Sequence, residues 1–366
     1  MKKVAFITGG AGFIGSRLAR QLTDAGCAVT VFDNLHPQVH GAGAVSPPDL
    51  GGARFIRGDV TDPASLNAAV AEARPDIVYH LAAETGTGQS FDEPARYNAV
   101  NVMGTAHLVE ALRAAPARAR RRVVLAGSRA VYGEGACLTA AGALVPGPVR
   151  SAAALARGAY APGAENGVAL TPAATPETLP PAPASVYAST KLMQEYLLTQ
   201  CAAEGAYDPV LLRFQNVYGP GQSLNNPYTG VLSIFAAQIM DGKRLNIFED
   251  GKIVRDFVYV DDVVEALAVA GSAPEAPQGP VNIGSGYPAT ILECAQTLLE
   301  ALGAPRDRYD VTGDFRAGDI RHALADIDKA ARALGWRPTT ALTDGLRALA
   351  AWAREERRMQ GGSVAS

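Results

Sequence analysis

Residues 8–15 read Thr-Gly-Gly-Ala-Gly-Phe-Ile-Gly, and no other feature constrains this chain as much. The apolar run Val4-Ala5-Phe6-Ile7 comes directly before them. Helical spacing follows over residues 14–25. A strand, a glycine-rich turn and a helix in that order form a dinucleotide-binding turn. Gly9 permits the sharp turn, Gly12 lets the backbone approach a pyrophosphate, and Gly15 lets the helix pack close to the strand. The N–H groups opening the helix, at Phe13 and Ile14, then face an anion. A second strand ends in Asp33, ~18 residues after Gly15, where a ribose-binding acid is expected. A carboxylate there accepts from the 2′-hydroxyl of NAD and repels the 2′-phosphate of NADP. The next residue is Asn34 rather than an arginine, so NAD is the expected cofactor. The plainer alternatives are a tight turn without a ligand and, for Asp33, a solvated residue at a strand end.

A nucleotide binder has no need of a proton-transfer set, yet the chain carries one. Tyr187-Ala188-Ser189-Thr190-Lys191 places Tyr187 and Lys191 one helical turn apart on one face. A nearby ammonium favours the phenolate. Tyr187 is therefore the expected general base toward a substrate hydroxyl, with Lys191 also placed to hold the nicotinamide ribose. Ser128, at the end of an apolar run, is expected to hydrogen-bond the reacting oxygen. Each element alone has a bland explanation, an amphipathic helix surface or a turn serine. Together with the glycine motif they form a specific pattern.

With 366 residues, 48% of them hydrophobic, the chain can bury a sizeable core. A net charge of −3 argues against nucleic-acid binding. The run Arg118, Arg120, Arg121, Arg122 reads as a solvated helix end. No apolar stretch long enough to span a membrane is present. A strand at the N-terminus leaves no room for a signal peptide. Cys27, Cys137, Cys201 and Cys294 are scattered, which suggests neither metal site nor disulfide. A cytoplasmic location is expected.

Apolar runs at 4–8, 28–33, 54–57, 77–83, 122–126 and 209–214 alternate with helical patterns at 14–25, 63–73, 95–114 and 186–203. This predicts an α/β fold, a Rossmann-type doubly wound parallel sheet with ligands at the carboxyl ends of its strands. The expected division is a cofactor-binding domain over 1–219 and a smaller, mainly substrate-binding α/β domain over 220–360. A frayed tail over 361–366 completes it. Residues 134–180 break the rhythm and read as a long loop, either lying over the active site or a tolerated surface excursion.

At this point the chain resembles the extended short-chain dehydrogenase/reductase family, in particular its nucleotide-sugar epimerases and dehydratases. The motifs carrying the resemblance begin with Thr8–Gly15, Gly58-Asp59-Val60, His80-Leu81-Ala82-Ala83 and Asn101-Val102-Met103-Gly104-Thr105. They continue through Ser128 with Val131-Tyr132-Gly133, Tyr187–Lys191, the stretch 212–220, the stretch 255–262 and Arg316-Ala317-Gly318-Asp319. The resemblance implies that Asp59 and Val60 border the adenine. It implies that Leu81, Ala82 and Ala83 line the cofactor cleft, with Asn101 and Gln215 nearby. Asn216 would bond the substrate diphosphate, with Arg255 and Arg316 neutralising it and Asp319 and Arg129 close by; arginine forks suit phosphate oxygens. The alternatives are structural pairs of Arg255 with Asp256 or Asp262 and of Arg316 with Asp319. Arg213 is expected to serve structure. Relatives commonly dimerise through helices equivalent to 95–114 and 186–203, so a homodimer is expected.

In related 4,6-dehydratases an Asp-Glu pair follows the active-site hydroxyl residue. Here those positions are Arg129 and Ala130. Without a second acid–base pair, the simplest cycle is oxidation at C4 of the sugar, rotation, and return of hydride to the opposite face. That is 4-epimerisation of a nucleotide-diphosphate sugar. Residues 83–90 and 215–230 look like those of dTDP-L-rhamnose 4-epimerases, with Thr87, Ser90 and Gln215 as sugar contacts. Each of the three can equally be a loop residue bonded to its own backbone. The rival readings are a UDP-hexose or UDP-uronate 4-epimerase, a 4-ketosugar reductase and a nucleotide sensor.

Overall fold

The computed structural model describes residues 2–362 apart from 42, 117–119, 165–166, 225, 227–229 and 317. Seven parallel strands form the central sheet, in the order Val281–Ile283, Tyr207–Phe214, Arg121–Ser128, Ile77–His80, Val4–Thr8, Ala28–Asp33 and Arg54–Arg57. The chain builds outward from Val4–Thr8 on one side, then crosses to Ile77–His80 and builds the other way. The crossing leaves a crevice at the carboxyl ends of these two strands, where ligands bind in open α/β sheets. Alternation along Val4–Thr8 feeds both faces. Ala5 and Ile7 pack with Leu18, Val263 and Leu267. Phe6 packs with Leu66, Leu108 and Leu198 on the other face.

The helix Pro63–Ala73 has the expected boundaries, started by Asp62, whose carboxylate accepts from Ala64 and Ser65 N–H. The helical pattern predicted over 95–114 is broken instead into Pro94–Tyr97, a wide π-helical turn Asn98–Met103, and Gly104–Ala114. Gly104 sits against Val60, where a Cβ would lie 2.7 Å from the valine Cγ2.

The arginine run departs from its predicted solvation. Arg121 is buried and donates to the carbonyls of Leu112, Ala115 and Pro116 at the end of Gly104–Ala114. Arg122 donates to Ala270 and Ala273 at the end of Val260–Ser272. Successive strand residues thus terminate helices on opposite faces, satisfying orphan carbonyls. Arg120 pairs with Asp208 at the surface, and Arg118 lies outside the described residues.

From residue 216 onward, a separate core forms around Tyr218, Phe235, Ile247, Leu298 and Leu349. Short strands missed by periodicity occur here, among them Asn216–Tyr218, Pro288–Thr290 and the sheet's seventh strand Val281–Ile283. This last strand crosses the division expected at residue 219. The final helix runs over Leu342–Gly362, so residues 361–362 of the expected tail are helical, and 363–366 lie outside the described residues.

Residues 134–180 are not a structureless loop. They contain a three-stranded antiparallel sheet of Ala136–Thr139, Leu144–Pro146 and Leu170–Pro172, plus the short helix Ala152–Ala156. Sparse apolar periodicity hid it: Ala136 and Leu179 join a small core with Val131 and Tyr132, and polar and ionic contacts supplement it.

Candidate active site

The glycine turn meets the end of Ile77–His80 at backbone range. Gly9 has φ +66°, and a Cβ on it would lie 2.6 Å from Ala82 N. A Cβ on Gly15 would lie 2.6 Å from Gly10 Cα and Gly9 O. Gly12 precedes the helix Phe13–Asp24 with no side-chain cap, so the helix opens toward the crevice with nothing of its own on it. A cradle that side chains would fill fits a dinucleotide pyrophosphate.

Asp33 is buried, not solvated; its oxygens accept from Ala11 N (3.0 Å) and Leu35 N (2.8 Å). The carboxylate therefore fixes the turn. Asn34 donates to Asp59 (2.8 Å). Burial pushes Asp59 up, but hydrogen bonds from Thr61 and Asn34 outweigh it and hold the carboxyl below its ordinary range. Val60 is buried beside Gly104, and Leu81 and Ala82 are tied to Thr8 through its carbonyl and hydroxyl.

Behind this wall lies a chain of polar groups. His80 bridges Thr8 (2.7 Å) and Thr105 (2.9 Å), and Gln194 donates to Thr105. Burial, then the charge of Lys191, lowers His80 to about 3, so it is a neutral structural imidazole. Asn101 is fully buried; its amide accepts from Glu84 N and donates to Glu84 O and Thr190 Oγ1. It braces the stretch after Ala83. Ser90, predicted as a sugar contact, is buried and donates to Thr87 O (2.6 Å), the local alternative. Thr87 itself is exposed at that turn.

Ser128, Tyr187 and Lys191 come together as predicted. The helix Val186–Cys201 starts at Ser185, whose hydroxyl accepts from Ala188 N. Ser128 lies beside Tyr187 and acts to lower its phenol, and its own hydroxyl accepts from Ala130 N (3.2 Å). The expected effect of Lys191 on Tyr187 is not what the geometry gives. Lys191 donates to Ala126 O (3.0 Å) and, buried, falls to about 7, with Glu195 opposing. Burial raises the Tyr187 phenol, and Ser128 pulls the other way. Farther along the helix, Glu195 takes a two-point grip from Arg213 (2.8 and 2.6 Å), which also lies over the Tyr132 ring. Arg213 is structural, as expected.

Sequence reasoning missed Tyr97. Its ring meets that of Tyr187 edge-on at 6.4 Å, and its hydroxyl donates to the carbonyls of Thr85 and Gly86. No motif marks it; only the π turn brings it here. Gln215, at the carboxyl end of Tyr207–Phe214, is buried, and its Oε1 has no donor among the described residues.

Across the crevice, Arg255 donates to Asp319 (2.7 Å) rather than to Asp256 or Asp262. Asp256 instead collects N–H groups from Ser285, Gly286 and Ala325, and Asp262 those of Thr339 and Thr340. Asn216 donates to Asp256 O (3.3 Å). Arg129 is buried and donates to Gly133 O (2.7 Å); burial, then repulsion from Arg255, brings it down to about 10. His322, also missed, is lowered by burial and by Arg255, Arg129 and Arg321. These cations suit a polyanion. Arg316 stands apart, exposed over the Phe248 ring at 5.2 Å, and Asp319 is not its partner.

Lys191 gives a pH test. An unfolded lysine keeps its proton to ~10.4, whereas the folded one loses it near 7. Between those values the unfolded state binds more protons, so stability rises with pH. The urea midpoint of cofactor-free wild type, relative to Lys191→Met, is expected to climb between about pH 7 and 9.5. A difference independent of pH contradicts the burial of this ammonium.

The arrangement agrees with comparisons to known proteins. Residues 5–284 match the model of the NAD dependent epimerase/dehydratase family. The chain is 40% identical to a dTDP-L-rhamnose 4-epimerase of Burkholderia thailandensis, over 97% of this chain and 96% of that protein. The UDP-glucose 4-epimerase of Thermotoga maritima, solved with UDP-glucose, superposes with a TM-score of 0.78 at 30% identity, covering 96% of this chain and 99% of that one. The Thermus thermophilus UDP-glucose 4-epimerase, solved with NAD, gives 0.74 at 30% identity, covering 96% and 98%. A glycine cradle shaped for NAD, a Ser-Tyr-Lys set with its lysine buried and a matching family model over most of the chain agree: the chain belongs to the NAD dependent epimerase/dehydratase family.

Proposed function

We propose that this chain is an NAD-dependent nucleotide-sugar 4-epimerase, an isomerase, that interconverts dTDP-L-rhamnose and dTDP-6-deoxy-L-talose through a 4-keto sugar. The observation that carries the 4-epimerase reading is the Tyr187–Ser128 hydroxyl pair with Lys191 one turn away, and Arg129 and Ala130 where an acid–base pair would follow Ser128. Arg129 is committed to Gly133 O. Glu134, the first carboxylate of the 134–180 segment, is buried between Arg150 and the N–H of Arg321. Elimination of water needs such a pair; epimerisation does not. The substrate reading rests on the likeness of residues 83–90 and 215–230 and on the 40% identity to the Burkholderia enzyme.

In this reading Gly9, Gly12, Phe13, Ile14 and Gly15 hold the pyrophosphate of NAD. Asp33 and Asn34 stand at the ribose, and Asp59 and Val60 at the adenine. Leu81, Ala82, Ala83 and Gln215 line the nicotinamide end, with Asn101 bracing it. Bound NAD supplies a reversible hydride acceptor beside C4 and, when oxidised, a positive charge. Tyr187 takes the proton of the C4 hydroxyl and later returns it, while Ser128 holds the same oxygen. A phenol raised by burial needs positive charge close by to ionise, and in this reading that charge would come from oxidised NAD rather than from Lys191 alone. Arg255 and Asn216 hold the diphosphate, Arg316 stands too far out to share in it, and Thr87 faces the sugar. Residues 1–219 form mainly the cofactor lobe and 220–360 mainly the substrate lobe.

We also infer a homodimer. Phe91 (53% exposed), Met103 (50%), Met193 (45%) and Tyr196 (48%) leave apolar surface on the helical segments 89–103 and 186–201. Sedimentation is expected to give twice the chain mass and, with Met193→Asp, the single mass; a monomeric wild type contradicts the inference. No helix among the described residues is long and apolar enough to cross a membrane, and a cytoplasmic enzyme is the reading that fits.

The functional test incubates purified protein with dTDP-L-rhamnose and, separately, UDP-galactose, following products by NMR and NADH by absorbance. The expected result is the C4 epimer of the first without accumulating NADH. Tyr187→Phe is expected to slow turnover by on the order of 10²–10⁴-fold while keeping bound NAD. Conversion of UDP-galactose alone moves the substrate to a UDP-sugar, and steady NADH formation makes the enzyme a net dehydrogenase.

A further inference from the structure

One arginine outside the described chemistry is unusually committed. The Arg150 side chain, 3% exposed, sits in the 134–180 segment and donates to four groups. Within its own segment these are Glu134 Oε1 (2.9 Å) and Tyr160 O (3.3 Å). Across the crevice they are Glu249 Oε1 (2.7 Å) and the main-chain carbonyl of Asp319 (2.8 Å). A second arginine, Arg321, grips Glu249 (2.6 Å) and Asp250 (2.7 and 2.9 Å). Its own N–H donates to Glu134 Oε2 (2.8 Å). Residues 319–321 are therefore stitched at both ends to the inserted segment.

The stitched residues are the ones that orient Arg255. Asp319 accepts from Arg255 Nη2 and from Ile320 N. Val254, next to Arg255, exchanges main-chain hydrogen bonds with Arg321 and Ala323. Glu249, at the far end of the cluster, holds a left-handed backbone with φ 53°, a conformation that costs a glutamate energy and needs its surroundings to enforce it. A buried ion cluster contributes little net stability compared with apolar packing. What this one does is fix geometry, because its arginine forks span the 134–180 segment and residues 249–321, beyond the main-chain tie of Thr175 to Leu324 and Asp326.

We propose that Arg150 is a positioning residue for the diphosphate grip: by holding the Asp319 main chain it sets Arg255, and so makes the 134–180 segment part of the substrate site. This rests on the reading of Arg255 as a diphosphate ligand. Arg150 donates to Glu134, Tyr160, Glu249 and Asp319, and to none of Ser128, Tyr187 and Lys191. Its loss therefore acts on nucleotide-diphosphate affinity and leaves the Ser128-Tyr187-Lys191 set intact.

The test titrates dTDP into NAD-loaded wild type, Arg150→Met and Arg150→Lys, with kcat and KM measured in parallel. Arg150→Met is expected to weaken dTDP binding and raise KM roughly tenfold, the order of one charge-assisted hydrogen bond, with kcat and bound NAD unchanged. Arg150→Lys, which keeps the charge but loses the fork, is expected to recover part of the affinity. Should Arg150→Met fail to fold because Glu134 is left unpaired, the double variant Arg150→Met with Glu134→Gln removes charge of both signs and is read in its place. Unchanged dTDP affinity, or losses of equal size in dTDP affinity, bound NAD and kcat, overturns the role of Arg150. A wild type that binds no dTDP overturns the diphosphate assignment itself, a separate outcome.

Discussion

The cleft depends on one close approach, that of the Gly9 turn to the backbone of Leu81 and Ala82. There is no room for a Cβ, which would lie within 2.8 Å of three main-chain atoms. Such contact holds only if both segments are fixed from behind. Asp33 does this on one side, accepting the N–H of Ala11 while its neighbouring oxygen accepts that of Leu35. Thr8, His80 and Thr105 do it on the other. The backbone thus forms the cofactor wall, and side chains brace it from outside.

Burial sets the electrostatics of the opposite wall. Lys191 and Tyr187 lie where neither charged form is welcome, so the ammonium falls and the phenol rises. This poises the pair: a proton removed from Tyr187 is stabilised only when positive charge is close. The substrate side is different in kind. Arg129, Arg255, Arg321 and His322 crowd together, with carboxylates held in ion pairs rather than left free. In the proposed reading one wall moves a proton and the other holds an anion.

Much of this was legible in the sequence because it depends on short-range pattern. The glycine spacing, Asp33, the Tyr-x-x-x-Lys turn and the buried parallel strands all follow from local rules, and the helix Pro63–Ala73 announces both its ends. The losses were of two sorts. Pairing between distant residues cannot be read from spacing, so Arg255 with Asp319 and the helix-terminating Arg121 were assigned other surroundings. Polar order without apolar periodicity was invisible too. The 134–180 segment looked featureless because Glu134, Arg150 and Glu249 hold it. Tyr97 reaches Tyr187 through a π turn that the helical pattern does not reveal.

The central claim is that hydrogen leaves and returns at the same sugar carbon without escaping the closed site around Tyr187. The most direct measurement follows deuterium placed at C4 of dTDP-L-rhamnose while the two epimers equilibrate in ordinary water. The account predicts that both epimers keep the label at C4. Loss of C4 deuterium to water in step with epimerisation would contradict it, because the proton moved by Tyr187 would then be the one on carbon rather than the one on oxygen.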